Sequence, residues 1–221
     1  MHCGFVKDDF KPDGNLEKNV WNEASWIRFN HGAFCGTEYP QSETRAAAAW
    51  SLTNIYFAFR CRYLTLNIYE GEDPAQERWE LWDRDVVEVF INPTPDCMTH
   101  YYEFEVSPNN QWIDLEIDKT KNPFYYPAWC SGFTHATRID VENHVWTCEM
   151  CIPLTSMLAG APHPGAEWRL NLYRADGPSP PSSQRRLMSW VTITGGDTFH
   201  TPNRFGTIRF MYSSPRLPIT I

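Results

Sequence analysis

Two pairs of acids spaced two residues apart, Glu103 with Glu105 and Asp114 with Glu116, stand out as residues able to do chemistry. On an extended strand, residues i and i+2 share a face and stand about 7 Å apart, because the rise is about 3.3 Å per residue. Glycosidases hold their two carboxyl groups about 5–5.5 Å apart, or about 6.5–9.5 Å when they invert. The spacing therefore admits a small glycoside hydrolase built on Glu103, Glu105 or Glu88. Catalysis also needs one carboxyl with a raised pKa, which apolar burial supplies. Acids on a water-facing strand lack that burial, so the preferred expectation is a solvated face or a set of metal ligands, without catalysis.

Other reactive patterns are weaker. The chain has no G-x-S-x-G elbow, no phosphate-cradling glycine loop and no H-E-x-x-H helix, and its seven histidines are scattered. Cys148 and Cys151 have C-x-x-C spacing, but on one strand their thiols point to opposite faces, which predicts neither a disulfide nor a shared zinc ion. Seven cysteines spread over the chain read mostly as reduced core thiols rather than a disulfide scaffold. A haem-binding redox module is a third reading; it would need Met150, Met188 or His100 to converge from separate strands.

Aromatic residues offer a different chemistry. There are 10 Trp, 10 Tyr and 13 Phe, more than a core of this size needs, so some rings are expected to face a ligand. Sugar rings have apolar C–H faces that stack on aromatic planes, and rims of hydroxyls that suit carboxylate, amide and guanidinium partners.

The elements that must position these groups are strands. Ile55, Phe57, Phe59 and Cys61 alternate with Tyr56, Ala58, Arg60 and Arg62 within 49–62, as a half-buried strand requires. Similar alternation predicts strands at 86–92, 101–107, 111–117, 132–139, 145–152, 168–174, 186–191 and 206–210. Helical periodicity is confined to short turns near Trp21–Ala24 and Leu154–Leu158. Strands separated by Pro, Gly and Asn turns predict an all-β fold, an antiparallel β-sandwich, in one domain over 1–221. The stretch 177–183, GPSPPSS, reads as a surface loop between strands. Inward parity predicts burial of Ile55, Phe57, Phe59, Val87, Val89, Tyr102, Phe104, Val106, Cys148, Met150, Leu170 and Leu172.

The formal charge of −8 disfavours nucleic acid and acidic membranes as partners, since both select basic surfaces. No stretch approaches the roughly 20 apolar residues of a membrane span. The opening MHCGFVKDDF lacks the apolar region of a secretory signal, and localisation stays open. A monomer is expected.

The segment 78–118 resembles the core of the family 9 carbohydrate-binding modules. The family pattern is an aromatic, a few polar residues, D-x-V-E-[VI]-F-[IL]-[DN], and then an aromatic-polar strand. Here it reads Trp82, Asp85-Val86-Val87-Glu88-Val89-Phe90-Ile91-Asn92 and Tyr101-Tyr102-Glu103-Phe104-Glu105-Val106-Ser107. Trp50-Ser51 with Ile55-Tyr56-Phe57, and Ser189-Trp190 with Thr198–Gly206, match further family segments. The resemblance implies a noncatalytic sugar-binding sandwich of jelly-roll or immunoglobulin-like topology, often extracellular or periplasmic, with structural calcium. It implies that a saccharide lies between Trp82 and Phe199 over a floor carrying Glu88, with Glu105, Ser107 and Tyr173 on the same sheet face, and that Trp190 is a core residue. Three positions depart from the sugar-binding pattern: Glu105 and Ser107 replace an Arg and an Asn, and Tyr173 replaces a Gln. Glutamate for arginine shifts the local charge by two units, which favours a ligand carrying an amine or a metal over simple glucose and xylose oligosaccharides.

Overall fold

A computed structural model describes residues 1–71, 73–126 and 128–212. The described residues form thirteen strands: β1 (His2–Phe5), β2 (Ile27–Phe29), β3 (Thr44–Trp50), β4 (Asn54–Arg62), β5 (Val86–Asn92), β6 (His100–Val106), β7 (Trp112–Asp118), β8 (Tyr125–Tyr126), β9 (Thr134–Asp140), β10 (Val145–Pro153), β11 (Glu167–Asp176), β12 (Arg186–Ser189) and β13 (Gly206–Met211). The only α-helix among the described residues is the four-residue α1 (Asn19–Asn22).

The hydrogen-bonded path runs β8-β7-β6-β5-β11-β13-β1-β3-β4-β10-β9, with β12 beside β11 and β2 beside β3. This single sheet curls over so that β3, β4 and β10 pack on β5, β6 and β11, forming a sandwich. Alternation drives the packing. Phe57, Phe59, Cys148 and Met150 from one layer meet Val87, Val89, Phe104, Val106, Leu170 and Leu172 from the other in one buried core. Each such side chain contributes roughly 1.5–3 kcal/mol by leaving water. All twelve residues whose burial parity predicts are at most 1% exposed.

Three expectations need correction. The sheet is not wholly antiparallel, because β1 runs parallel to both β13 and β3; it fills the gap between the first and last long strands and places Cys3 in the core. The single strand read over 49–62 is a hairpin, and β3 begins at Thr44. Its turn is held by Asp9, whose carboxylate accepts hydrogen bonds from Ser51 Oγ (2.5 Å), Thr53 Oγ1 (2.5 Å) and Tyr56 Oη (2.7 Å). All seven cysteines are free, but only Cys3, Cys61 and Cys148 are fully buried. Cys148 points into the main core, whereas Cys151 packs on the opposite face against the N-terminal segment.

Both outer faces of the sandwich are also covered. The segment 6–26 lies over β3, β4 and β10, where Trp21 packs with Ala47, Ala49, Tyr56 and Ala58. Loops carrying Leu81, Trp82, Phe124, Phe199 and Phe205 lie over β5, β6, β7 and β11. The second covering leaves a cavity.

Candidate functional site

The cavity is built on the outward residues of the central strands. On β5 these are Val86, Glu88 and Phe90; on β6, Tyr101, Glu103 and Glu105; on β11, Tyr173 and Ala175. Register sets Glu88 directly opposite Glu105 on one side and Tyr173 on the other, with Phe90 opposite Glu103. Directly paired side chains lie about 4.5–5.5 Å apart at Cβ, so the three glutamates share one patch. Their carboxylate oxygens reach within 4.8 Å of one another, the only such group of three acidic or metal-ligating side chains among the described residues.

Aromatic walls rise over this floor. Leu81 buries itself under the short turn Leu81–Asp83 and so fixes Trp82 at the rim. Trp82 meets Trp79 edge-on at 5.0 Å, and Trp79 in turn meets Tyr125 at 5.1 Å. Across the cavity, Phe199 stacks on Tyr173 at 4.0 Å with ring planes 10° apart, and Tyr173 Oη donates to the Phe199 carbonyl at 3.0 Å. Phe34 completes that wall, 5.6 Å from Phe199. Arg185 closes the rim by donating to the Trp82 carbonyl and, at 2.7 Å, to the Arg84 carbonyl. It thereby ties the 177–185 loop to the turn that carries Trp82. The cavity, open to solvent on one side, measures about 720 Å³, within the range of roughly 300–1,000 Å³ that small-molecule sites occupy.

The floor's electrostatics are unusual. Glu88, Glu103 and Glu105 are 2%, 3% and 0% exposed. Burial pushes the Glu103 carboxyl up to about 7. Burial first, and the adjoining carboxylates second, push Glu88 and Glu105 well above the ordinary range, opposed by the Arg185 charge. His200 does not compensate them. Burial lowers its imidazole to about 4, so it is neutral at pH 7, with Nδ1 2.8 Å from Tyr101 Oη and 3.9 Å from Glu103.

Residues 13–212 match the model of the family described as carbohydrate family 9 binding domain-like. The chain belongs to this family. A protein of Arthroderma benhamiae named as an extracellular protein is 29% identical over 151 residues, 63% of this chain and 67% of its own. Two structures of a family 9 carbohydrate-binding module from Caldicellulosiruptor kristjanssonii share the fold. The complex with cellotriose covers 100% of this chain and 99% of its own, with a TM-score of 0.68 at 16% identity. The complex with glucose covers 99% and 100%, with a TM-score of 0.67 at 16% identity. A Bacteroides uniformis protein with a proposed role in carbohydrate binding superposes with a TM-score of 0.75 at 17% identity, over 95% of this chain and 98% of its own. Family 9 domains of this kind are noncatalytic carbohydrate-binding modules, and neither a hydrolase nor a redox reading is favoured for this member.

The geometry agrees. The three glutamates lie side by side on one floor instead of facing each other across a cleft. Met150 and Met188 point into the core, and the His100 ring pairs with Glu116 at 2.9 Å, so none of the three lines the cavity.

Of the residues singled out from sequence, Trp82, Phe199, Glu88 and Glu105 line one cavity. Tyr173 lies behind Phe199 as its support, and Ser107 is buried at the end of β6, outside the cavity wall. Trp190 is half-buried against the core, its ring beside Gly206, where a Cβ would come within 2.9 Å of it. One expectation for the acids is overturned. Glu103 and Glu105 are not solvated, because the 79–83, 124–125 and 197–200 loops cover them. Glu88 does not pair with Arg174, whose guanidinium points into the sandwich interior 3.8 Å from Asp176 and 5.1 Å from the Trp146 ring; Arg60 and Arg62 lie on β4, in the opposite layer. Phe34, Tyr125 and Arg185 are wall residues that sequence reasoning missed. The aromatic run Phe124-Tyr125-Tyr126 is visible in the chain, but nothing local to Phe34 or Arg185 signals a site.

Proposed function

We propose that this domain binds a saccharide in the cavity between the Trp79–Trp82–Tyr125 wall and the Phe199–Phe34 wall, over Glu88, Glu103 and Glu105. The observation that supports this most is the pairing of aromatic walls with a polar floor in one space of about 720 Å³. Stacking accounts for affinity and the carboxylates for orientation. The site contacts its ligand without changing it.

Trp82 forms a rim without belonging to the main core, and is only half-buried. Loss of a stacking ring at a binding hot spot costs about 2 kcal/mol or more, which is about thirtyfold in affinity. Trp82→Ala should therefore weaken binding of whichever glycan a glycan array selects by about thirtyfold while leaving the near-UV circular dichroism of the folded protein in place. A variant that binds that glycan as tightly as the parent would place the ligand elsewhere.

A further inference from the structure

On a carbohydrate-binding face, a carboxylate needs donors. The hydroxyls of a neutral sugar supply one or two to an acid, yet here three acids converge. Glu88 Oε1, Glu103 Oε2 and both oxygens of Glu105 are fully buried with no hydrogen-bond partner among the described residues. A buried polar group without a partner costs roughly 1–3 kcal/mol, and a charged one more. The one hydrogen bond open to these four atoms within the floor is a proton that Glu103 and Glu105 share.

The charge around the cavity points the same way. Among the described residues its walls include Asp83 and Asp197 besides the three glutamates, against a single guanidinium, that of Arg185. That guanidinium is already engaged with backbone carbonyls of Trp82, Arg84, Gly177 and Pro178. Five acids against one engaged guanidinium favour a cationic partner, in exchange for which the floor glutamates give up protons.

We propose, building on the saccharide reading above, that the sugar taken by this cavity carries a free primary ammonium, as a 2-amino-2-deoxyhexose does. Glu88, Glu103 and Glu105 receive its three N–H donors while the ring stacks on Trp82. An ammonium has three donors and no acceptor, and three acids converge to meet it. N–H···O distances of about 2.7–2.9 Å in a tetrahedral arrangement put the acceptors about 4.4–4.7 Å apart, compatible with oxygens that all lie within 4.8 Å of one another. On binding, the floor gives up two of the three protons it holds without ligand, so that three carboxylates sharing one proton, Arg185 and one ammonium sum to zero charge.

A calcium ion fits this floor less well. It takes 6–8 oxygens, commonly including backbone carbonyls and water. Glu88, Glu103 and Glu105 sit on central strands with neighbours on both sides, where the backbone carbonyls are committed to the ladder. Among the side chains around them, Phe90, Leu115, Ile117 and Ala175 offer no oxygen.

Calorimetry of the full chain at pH 6 decides this, using a β-1,4-linked glucosamine trimer, its fully N-acetylated counterpart and cellotriose, each with and without EDTA, and calcium chloride alone. The glucosamine trimer should bind at least about thirtyfold more tightly than the other two, the scale of losing a partner from a buried charged pair, and EDTA should change nothing. Glu105→Gln should remove about thirtyfold from the glucosamine trimer and spare the N-acetylated one. The parent's selectivity decides alone should that variant fail to fold. Equal or tighter binding of cellotriose overturns the ammonium assignment and leaves the saccharide reading standing. Binding of calcium alone, with sugar binding abolished by EDTA, replaces the ammonium with a metal. Absence of heat with all three trimers, followed by an empty glycan array, overturns both readings.

Discussion

On the outer face of β10, Glu149 is fully buried and surrounded by donors; on the outer face of β5 and β6, Glu88, Glu103 and Glu105 are as deeply buried, and four of their oxygens have no donor among the described residues. Glu149 accepts hydrogen bonds from the Asp13 amide (2.8 Å), the Gly14 amide (2.9 Å), Lys18 Nζ (2.6 Å) and Trp21 Nε1 (2.6 Å). The N-terminal segment folds over β10 and satisfies that acid completely. Gly14 takes φ +74° and cannot carry a Cβ, which would stand 2.8 Å from Arg138 Cγ, so the backbone approaches as closely as its amide requires. The loops over β5 and β6 bring rings and a cavity instead of donors. One glutamate is a structural anchor, and the other three face a cavity. Burial alone does not separate these roles; the count of donors does.

The largest break in this comparison is Glu149→Ala. It orphans a buried indole N–H and two backbone amides and takes from Lys18 its buried partner, leaving it Asp13 and the Asn15 carbonyl, and removing one partner of a buried ion pair typically costs about 3–5 kcal/mol. Urea denaturation should show a loss of that order, with the midpoint shifted and the slope unchanged. Loss of less than about 1 kcal/mol would mean that the N-terminal segment is held by the packing of Trp21 and Phe10 alone.

A second effect separates the faces by pH. The folded state holds protons on Glu88, Glu103 and Glu105 that the unfolded chain releases above about 4.5. Stability therefore falls as pH rises from that value through the folded pKa, about 7 for Glu103 and higher for the other two. The groups facing them are Arg185, which opposes the rise, the Asp83 and Asp197 carboxyl groups of the cavity wall, and His200, Tyr101 and Tyr173, the last three uncharged at pH 7. Each tenfold change in proton affinity is worth about 1.4 kcal/mol, so Glu103 alone accounts for about 3 kcal/mol between pH 4.5 and 7. The ligand-free protein should be more stable at pH 5 than at pH 8, and Glu105→Gln should be more stable than the parent at pH 8 but not at pH 4. A flat profile in chemical denaturation from pH 5 to 8 would mean that these acids already have partners.

How far the sequence carries can be seen in the same residues. Strict alternation in Val86–Asn92 and Tyr101–Val106 assigns Val87, Val89, Phe104 and Val106 inward and Glu88, Glu103 and Glu105 outward, and the structure agrees on every one. It does not say that the outward side is buried. The covering loops reach β5 and β6 from positions as distant as Phe34 and Phe199, and no periodicity records where a loop goes. The start of β3 is hard to read because Arg45–Trp50 contains four alanines, which carry little strand preference. The parallel insertion of β1 depends on β13, more than 200 residues away. Trp82 and Phe199 are legible only through family resemblance, whereas Arg185 becomes visible only when its guanidinium is seen to bind the carbonyls around Trp82.

The smallest effect sharpens the anchor itself. Lys18 is the one mobile donor to Glu149, at 2.6 Å, and it also pairs with the exposed carboxylate of Asp13. Replacing it with methionine keeps the apolar stem over the face of Phe10, where Nζ lies 5.8 Å from the ring centroid, and removes only the charge. Glu149 then retains two backbone amides and the Trp21 indole. A hydrogen bond to a charged group is worth about 1.5–3 kcal/mol when lost, but Lys18 is partly exposed, at 22% of its side chain, so solvent screening reduces this to about 1 kcal/mol. Thermal or urea unfolding of Lys18→Met should show that modest loss, with sugar binding unchanged because β10 faces away from the cavity. If Lys18→Met instead matched Glu149→Ala, the ammonium and not the fixed N–H donors would be what holds this glutamate, and the contrast with the donor-free floor would rest on a single side chain.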